Sequence, residues 1–404
     1  MKEFRISDKI KNIFTDTVWS AAGLVLMHAS AQFLVYPLWN RELGNEEYGN
    51  IVYLLSVMNI LAISIGSGIN YARMRRSAEV DTSNRPYLLL MAAGTLLSLL
   101  ILSVMNALCL LHLDRAEFLL FCCLTVATMW RCYADVEYRL HINYRGFFLY
   151  YVVIGLGYML GFWLFRISGL WPLALLSGEL LGLGFVLWRG RVFRKDTASE
   201  PLSPVLHVSL LLVSSGVLSQ LFFNGDRLIL RLFSGSTAVT VYYIASLFGK
   251  TMTFISTPMN GVLVGHLAKH NGILTQRMMY AVSIITVGAV ILFTLVCVAM
   301  GFLLLPMLYP AEWYAVKPFL WITSASQVVY FAGNVLISSF LLRFTKARNQ
   351  LTVNVVYGAF FLAICIPLAA FQGIAGFCWG LLAVNAFRLI LCLTICCFAA
   401  NRQG

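Results

Sequence analysis

Leu221-Phe-Phe-Asn-Gly-Asp-Arg-Leu-Ile-Leu-Arg231 sets an acid, Asp226, and a base, Arg227, inside an apolar stretch that runs from Val205 to Phe233. If that stretch crosses a membrane, each charge costs on the order of 2.5–3.5 kcal/mol on insertion scales, and a tolerated one faces a bundle interior or an aqueous cavity. Neighbours on a helix point about 100° apart, so Asp226 and Arg227 need separate partners. Composition decides the membrane question. Of 404 residues, 60% are apolar and 11% charged, and the mean hydropathy is +0.81. Soluble domains run near ~45–50% and ~25%. Apolar runs of about 20 residues fit spanning helices, whereas an outer-membrane barrel alternates over segments of about 10. The chain reads as an all-α polytopic membrane protein.

Outward from Asp226 the spans fall at 17–38, 48–70, 87–111, 117–136, 147–168 and 170–188, then 205–234, 239–265, 279–305, 315–341, 351–371 and 374–399. With the N-terminus inside, twenty of the 29 Lys and Arg lie in inner segments, against five outside (Arg41, Arg115, Arg166, Arg231 and Lys317). That bias is the positive-inside signal. It predicts a multi-pass protein with both termini cytoplasmic. It also accounts for most of the net charge of +12 without any nucleic-acid partner. The ten cysteines lie mostly in apolar runs, with no CxxC and no His/Cys ligand spacing, so no metal or disulfide framework is expected. The basic N-terminus followed by His28 and Gln32 does not read as a cleaved signal peptide.

A polar interval, Gly190 to Pro204, falls at the midpoint with six spans on either side. It predicts an N-terminal six-helix bundle (1–190), a cytoplasmic linker (191–204) and a C-terminal six-helix bundle (205–404). Even numbers of spans put both bundles the same way up, so their pseudo-two-fold axis runs along the membrane normal. Two echoes support duplication. Leu43-Gly-Asn-Glu-Glu-Tyr-Gly-Asn-Ile-Val opens the second span as Ser234-Gly-Ser-Thr-Ala-Val-Thr-Val-Tyr-Tyr opens the eighth; Tyr144–Val153 enters the fifth as Ala347–Val356 enters the eleventh.

No P-loop, G-x-S-x-G or H-E-x-x-H motif occurs, and loops of roughly 5–15 residues are too short to fold as catalytic domains. No catalytic residue and no cofactor is expected. The chemistry therefore rests on polar groups inside spans. Arg131 and Asp135 are spaced i,i+4 on one helix, which predicts an intrahelical ion pair. Glu179 is either protonated and structural or a group that titrates during transport. Lys250 is too central to snorkel and is expected to face a cavity, while Arg388 meets either a cavity or a neighbouring helix. Asn260, Gln327 and Asn334 read as interhelical hydrogen bonds, and Pro258 as a kink. Tyr36, Trp39, Trp171, Trp313 and Tyr314 read as interfacial belts. Cations in spans (Arg131, Arg227, Lys250 and Arg388) outnumber acids (Asp135, Glu179 and Asp226). A shared cavity would favour an anion, and Arg grips phosphate through two parallel bonds.

Asp226-Arg227-Leu-Ile-Leu, then Gly235, Ala238-Val239, Tyr242 and Ala245, resembles the seventh-span signature of Wzx-type O-antigen and capsular polysaccharide repeat-unit flippases. These form the polysaccharide transport branch of the multidrug/oligosaccharidyl-lipid/polysaccharide (MOP) exporter superfamily. Arg41, Leu43-Gly44 and Glu46-Glu47-Tyr48-Gly49 are similar to the R-x-L-G-x-x-x-Y-G that follows the first span there. Thr240 departs, standing where the family often has glycine. The resemblance spans the whole chain through architecture and motif together. It implies transfer of an undecaprenyl-pyrophosphate-linked oligosaccharide between leaflets of a bacterial plasma membrane by alternating access, beside glycosyltransferases and a polymerase. The alternatives are a cation-coupled multidrug antiporter of the same superfamily and a membrane-embedded polysaccharide biosynthesis enzyme. For the anion itself, Lys250 and Arg131 are the leading candidates and Arg227 and Arg388 the further ones, with Asp226, Glu179 and Asp135 as coupling groups or charge partners.

Overall fold

Apolar runs too long for anything but membrane-spanning helices become helices throughout the computed structural model, which describes residues 2–77, 79–194, 200–252, 276–336 and 347–403. Every regular element among the described residues is helical. The order is α1 (Lys2–Ala29), a π-helical turn (Ser30–Val35), α2 (Tyr36–Leu43), α3 (Asn45–Arg76), α4 (Asn84–Ala107), α5 (Arg115–Ala134) and α6 (Val136–Leu140). Then follow α7 (Tyr144–Ser168), α8 (Leu173–Arg189), α9 (Leu202–Thr251), α10 (Gln276–Leu308), α11 (Trp313–Val316), a 3-10 turn (Lys317–Phe319), α12 (Leu320–Leu336) and α13 (Ala347–Gln403). Eight stretches among the described residues are long and apolar enough to cross a membrane. Two of these, in α9 and α13, are long enough to hold two of the sequence spans each. Adding α8 and α12, each of the twelve expected spans has at least part of its length in a described helix. Pro258 and Asn260 lie outside the described residues.

The joints explain why two helices run so long. α9 bends at Gly235 (φ 85°, ψ 176°) and α13 at Gly373 (φ 61°, ψ −143°), single residues between successive spans. A left-handed φ crowds any side chain, so only glycine turns the chain there without strain. Gly44 (φ 81°) makes the same turn between α2 and α3, and Gly169 (φ 74°) ends α7. Gly44 and Gly235 occupy the same register of the first sequence echo, so the echo marks a repeated turn.

Packing divides the chain into two compact units. One comprises Met1–Glu42 and Leu54–Gly225, the other Leu43–Tyr53 and Asp226–Gly404. In the second unit the two echoed segments meet. Thr240 Oγ1 donates to the Asn45 carbonyl at 2.7 Å, and a Cβ at Gly49 would collide with the Ser236 carbonyl. In the echo register Asn45 corresponds to Ser236 and Gly49 to Thr240. The two contacts are therefore reciprocal, which is how a two-fold relation makes self-complementary surfaces. Thr240 thus makes a bond where the resemblance expects glycine, and Gly49 supplies the space.

In the first unit, α7 and α8 approach so closely that a Cβ at Gly157 would overlap the Cα of Gly178. Small residues at such a crossing let backbones touch where no hydrophobic force drives helices together. Two expected interfacial aromatics are core residues instead: Trp39 and Trp171 are buried and pack edge-to-face, with ring centroids 5.8 Å apart. Apolar rings placed near a span end have two sinks, headgroups or a neighbouring helix, and here the neighbour wins.

Candidate functional site

Two buried polar clusters carry the charges found by sequence, one in each unit. In the first unit the close α7–α8 crossing sets Glu179, next to Gly178, against α7 and α5. Its Oε2 meets Arg131 Nε at 2.5 Å, and its Oε1 accepts from Tyr158 Oη at 2.7 Å. Arg131 Nη1 also reaches Tyr151 Oη at 3.4 Å, and the Tyr151 hydroxyl donates to Asp135 Oδ2 at 2.8 Å. Arg131, Asp135 and Glu179 are all buried. The expected Arg131–Asp135 pair is therefore corrected. Arg131 pairs with Glu179 across helices, while Asp135 pairs with Arg139 at 3.7 Å. The physical reason is the helix end: α5 stops at Ala134, and Asp135 sits at the joint with α6. That aims its carboxylate at Tyr151 and the next turn, away from the residue four positions back.

In the second unit the bend at Gly235 folds α9 back on itself, so residues far apart in the chain converge on Asp226. Its Oδ2 accepts from Lys250 Nζ at 2.5 Å and from Tyr242 Oη at 2.8 Å, while Oδ1 accepts the backbone N–H of Arg227 at 2.8 Å. Gln327 on α12 donates to Tyr242 Oη at 3.0 Å, an interhelical bond as the sequence reading expects. Lys250 is only 8% exposed. It is the ion-pair partner of the carboxylate. The Arg227 guanidinium lies 4.8 Å from the centre of the Tyr243 ring and is buried.

Arg388 on α13 has a different environment. Its guanidinium stands between two rings, 4.5 Å from the Tyr357 centroid and 5.1 Å from that of Tyr330. One nitrogen, Nη2, donates to Asn354 Oδ1 at 3.2 Å. Among the described residues Nε and Nη1 are buried with no hydrogen-bond partner, and no carboxylate bridges this side chain. Tyr357 is held by its own bond to Asn385 Oδ1 at 3.1 Å, and Asn385 donates to the Ser326 carbonyl and hydroxyl at 3.0 Å. A guanidinium stacked on aromatic faces and short of acceptors suits an anion.

Sequence thus located the charges and missed the tyrosines that orient them, Tyr151, Tyr158, Tyr330 and Tyr357, while Tyr242 entered only through the family signature. Their signal was present, since a phenol in mid-span is costly without a partner for its hydroxyl. Arg73, counted with an inner loop, is also buried; it donates to Tyr133 Oη at 2.8 Å and Asn84 Oδ1 at 2.6 Å.

No protein-family model matches the sequence, and neither does any curated protein. Solved structures do. A MATE transporter of Vibrio cholerae is 16% identical, with 98% of each chain covered and a TM-score of 0.66. An inward-facing multidrug resistance MATE family transporter of the MOP superfamily is 14% identical, covering 95% of this chain and 98% of that one, with a TM-score of 0.65. A MOP superfamily transporter from Pyrococcus furiosus, described as having a binding pocket of reverse polarity, is 14% identical, covering 97% and 96%, with a TM-score of 0.64. The chain has the all-helical membrane fold of these MOP-superfamily transporters over nearly its whole length.

Proposed function

We propose that this protein is a transporter of the polysaccharide branch, a flippase that moves an undecaprenyl-pyrophosphate-linked oligosaccharide from the inner to the outer leaflet by alternating access. Its two sequence halves, 1–190 and 205–404, act as rocking bundles joined by the 191–204 linker. The protein resides in a bacterial plasma membrane with both termini cytoplasmic and works beside glycosyltransferases and a polymerase.

One observation carries the reading: the charge balance of the second half. Residues 205–404 hold only two acids, Asp226 and Glu312. Asp226 is already engaged by Lys250, and the buried Arg388 has two nitrogens unsatisfied among the described residues. In the first unit, by contrast, Arg131 is neutralised by Glu179. Arg388 therefore replaces Arg131 and Lys250 as the leading candidate for the pyrophosphate, with Arg227 a further one.

Measure reorientation of a fluorescent pyrophosphate-linked glycan between leaflets in proteoliposomes. Acceleration over empty vesicles that is lost in Arg388→Met supports the reading; no acceleration by the wild type refutes it. Cation-coupled drug antiport is the second reading, favoured by the buried carboxylates Asp135, Glu179 and Asp226. Proton-driven uptake of a lipophilic cation in the same vesicles is its signature.

A further inference from the structure

We propose that a cleft at the basic end of the first unit binds a phosphate group. This site does not depend on which cargo the protein carries. The cleft, of about 360 Å³, lies between the α6–α7 turn and the end of α8, and its lining includes Tyr138, His141, Arg145, Phe185 and Arg189. Arg145 and Arg189 are exposed, and neither makes a salt bridge among the described residues. The Arg189 guanidinium is braced 5.7 Å from the Phe185 ring and 5.8 Å from that of Trp188. Tyr138 is 5% exposed, and its hydroxyl is buried with no hydrogen-bond partner among the described residues. A phenol in that state lacks a ligand for its O–H.

The one acid in the lining is already committed. Glu137 Oε2 accepts the backbone N–H groups of Arg191 at 2.9 Å and Val192 at 2.8 Å, and its Oε1 lies 3.8 Å from His141 Nδ1. Two arginines are then left to attract a divalent or monovalent oxyanion, and their forks match phosphate oxygens. The turn itself is held under strain: Ile142, a β-branched residue, adopts φ 52°. Such outliers persist where the surrounding structure enforces them and gather at ligand sites.

The rim says how phosphate arrives. Ile142, Leu149, Leu187 and Trp188 are exposed, Trp188 to 75%, and in a membrane protein such a border meets acyl chains and headgroups. Basic pockets at helix ends bind anionic headgroups on this principle. A phospholipid supplies the phosphate together with chains for the apolar rim, and soluble phosphate supplies the same oxyanion alone.

The test uses the full chain purified in detergent, with binding read by native mass spectrometry and calorimetry. Short-chain phosphatidylglycerol is one probe and inorganic phosphate the other. If the lipid is the source, phosphatidylglycerol binds at least about ten-fold more weakly to Arg145→Gln/Arg189→Gln than to wild type. Tyr138→Phe, which keeps the ring and removes only the hydroxyl, weakens it about five-fold. Binding of inorganic phosphate with the same variant pattern, and none of the lipid, supports the site with a soluble source. Equal binding of both probes to wild type and variants overturns the site. If the double variant misfolds, Tyr138→Phe alone decides: wild-type affinity for both probes refutes the proposal.

Discussion

Removing the Lys250 charge by Lys250→Met should destabilise the protein by about 3 kcal/mol, because it strands a carboxylate inside the membrane. Breaking a buried ion pair from one side costs about 3–5 kcal/mol, since the surviving charge stays desolvated. Asp226 keeps two donors after the change, Tyr242 Oη and the Arg227 backbone N–H, which places the cost at the low end. The partner change, Asp226→Asn, leaves an isosteric side chain whose oxygen still accepts from Tyr242. In Asp226→Asn/Lys250→Met neither charge remains, and a pair replaced by neutral groups of similar volume is often close to neutral. The double variant should therefore fall within about 1 kcal/mol of wild type, giving a coupling of about 2 kcal/mol or more between the sites. Reversible denaturation in mixed micelles of all four proteins measures the cycle. Additive effects, or a Lys250→Met protein as stable as wild type, would refute the pairing and return Lys250 to the list of cavity cations.

Arg388→Met should leave stability within about 1 kcal/mol of wild type, since it removes a buried cation with unmet donors, yet cut flipping at least about ten-fold; Arg388→Lys should rescue poorly because an ammonium cannot present the planar fork. Equal loss of fold and transport would make the side chain structural. Glu179→Gln should cost about 3 kcal/mol by stranding Arg131, and Arg131→Met/Glu179→Gln should recover most of it; a melting series in detergent reads both. Gly49→Val drives a side chain into the Ser236 carbonyl and should lower stability by about 1–3 kcal/mol, so unchanged thermal melting contradicts the reciprocal contact of the two echoed segments.

Much of the architecture was legible in the chain because bilayer physics is one-dimensional. A span must be about 20 residues long and apolar, so hydropathy alone places Leu202–Thr251 and Ala347–Gln403 in the membrane, and Gly235 and Gly373 stand where each long helix must turn. The Leu43 and Ser234 echoes carried the duplicated turn for the same local reason: a left-handed φ is a property of one residue. The charged members of the polar clusters were legible too, since Asp226, Lys250, Arg131, Glu179 and Arg388 are conspicuous in apolar surroundings.

What each charge meets was decided only in three dimensions. Asp135 lies four positions from Arg131, but the end of α5 and the glycine-tight crossing of α7 with α8 deliver Glu179 to Arg131 instead. Asp226 adjoins Arg227 in sequence, yet the turn at Gly235 carries Lys250 and Tyr242 to its carboxylate. Among the described residues Arg388 keeps two nitrogens without acceptors, its neighbours on α12 and α13 being tyrosine rings. Insertion into the membrane depends on composition along the chain, which sequence states outright. Pairing depends on which helix faces which, and that is set by small residues and turns acting at a distance from the charges they bring together.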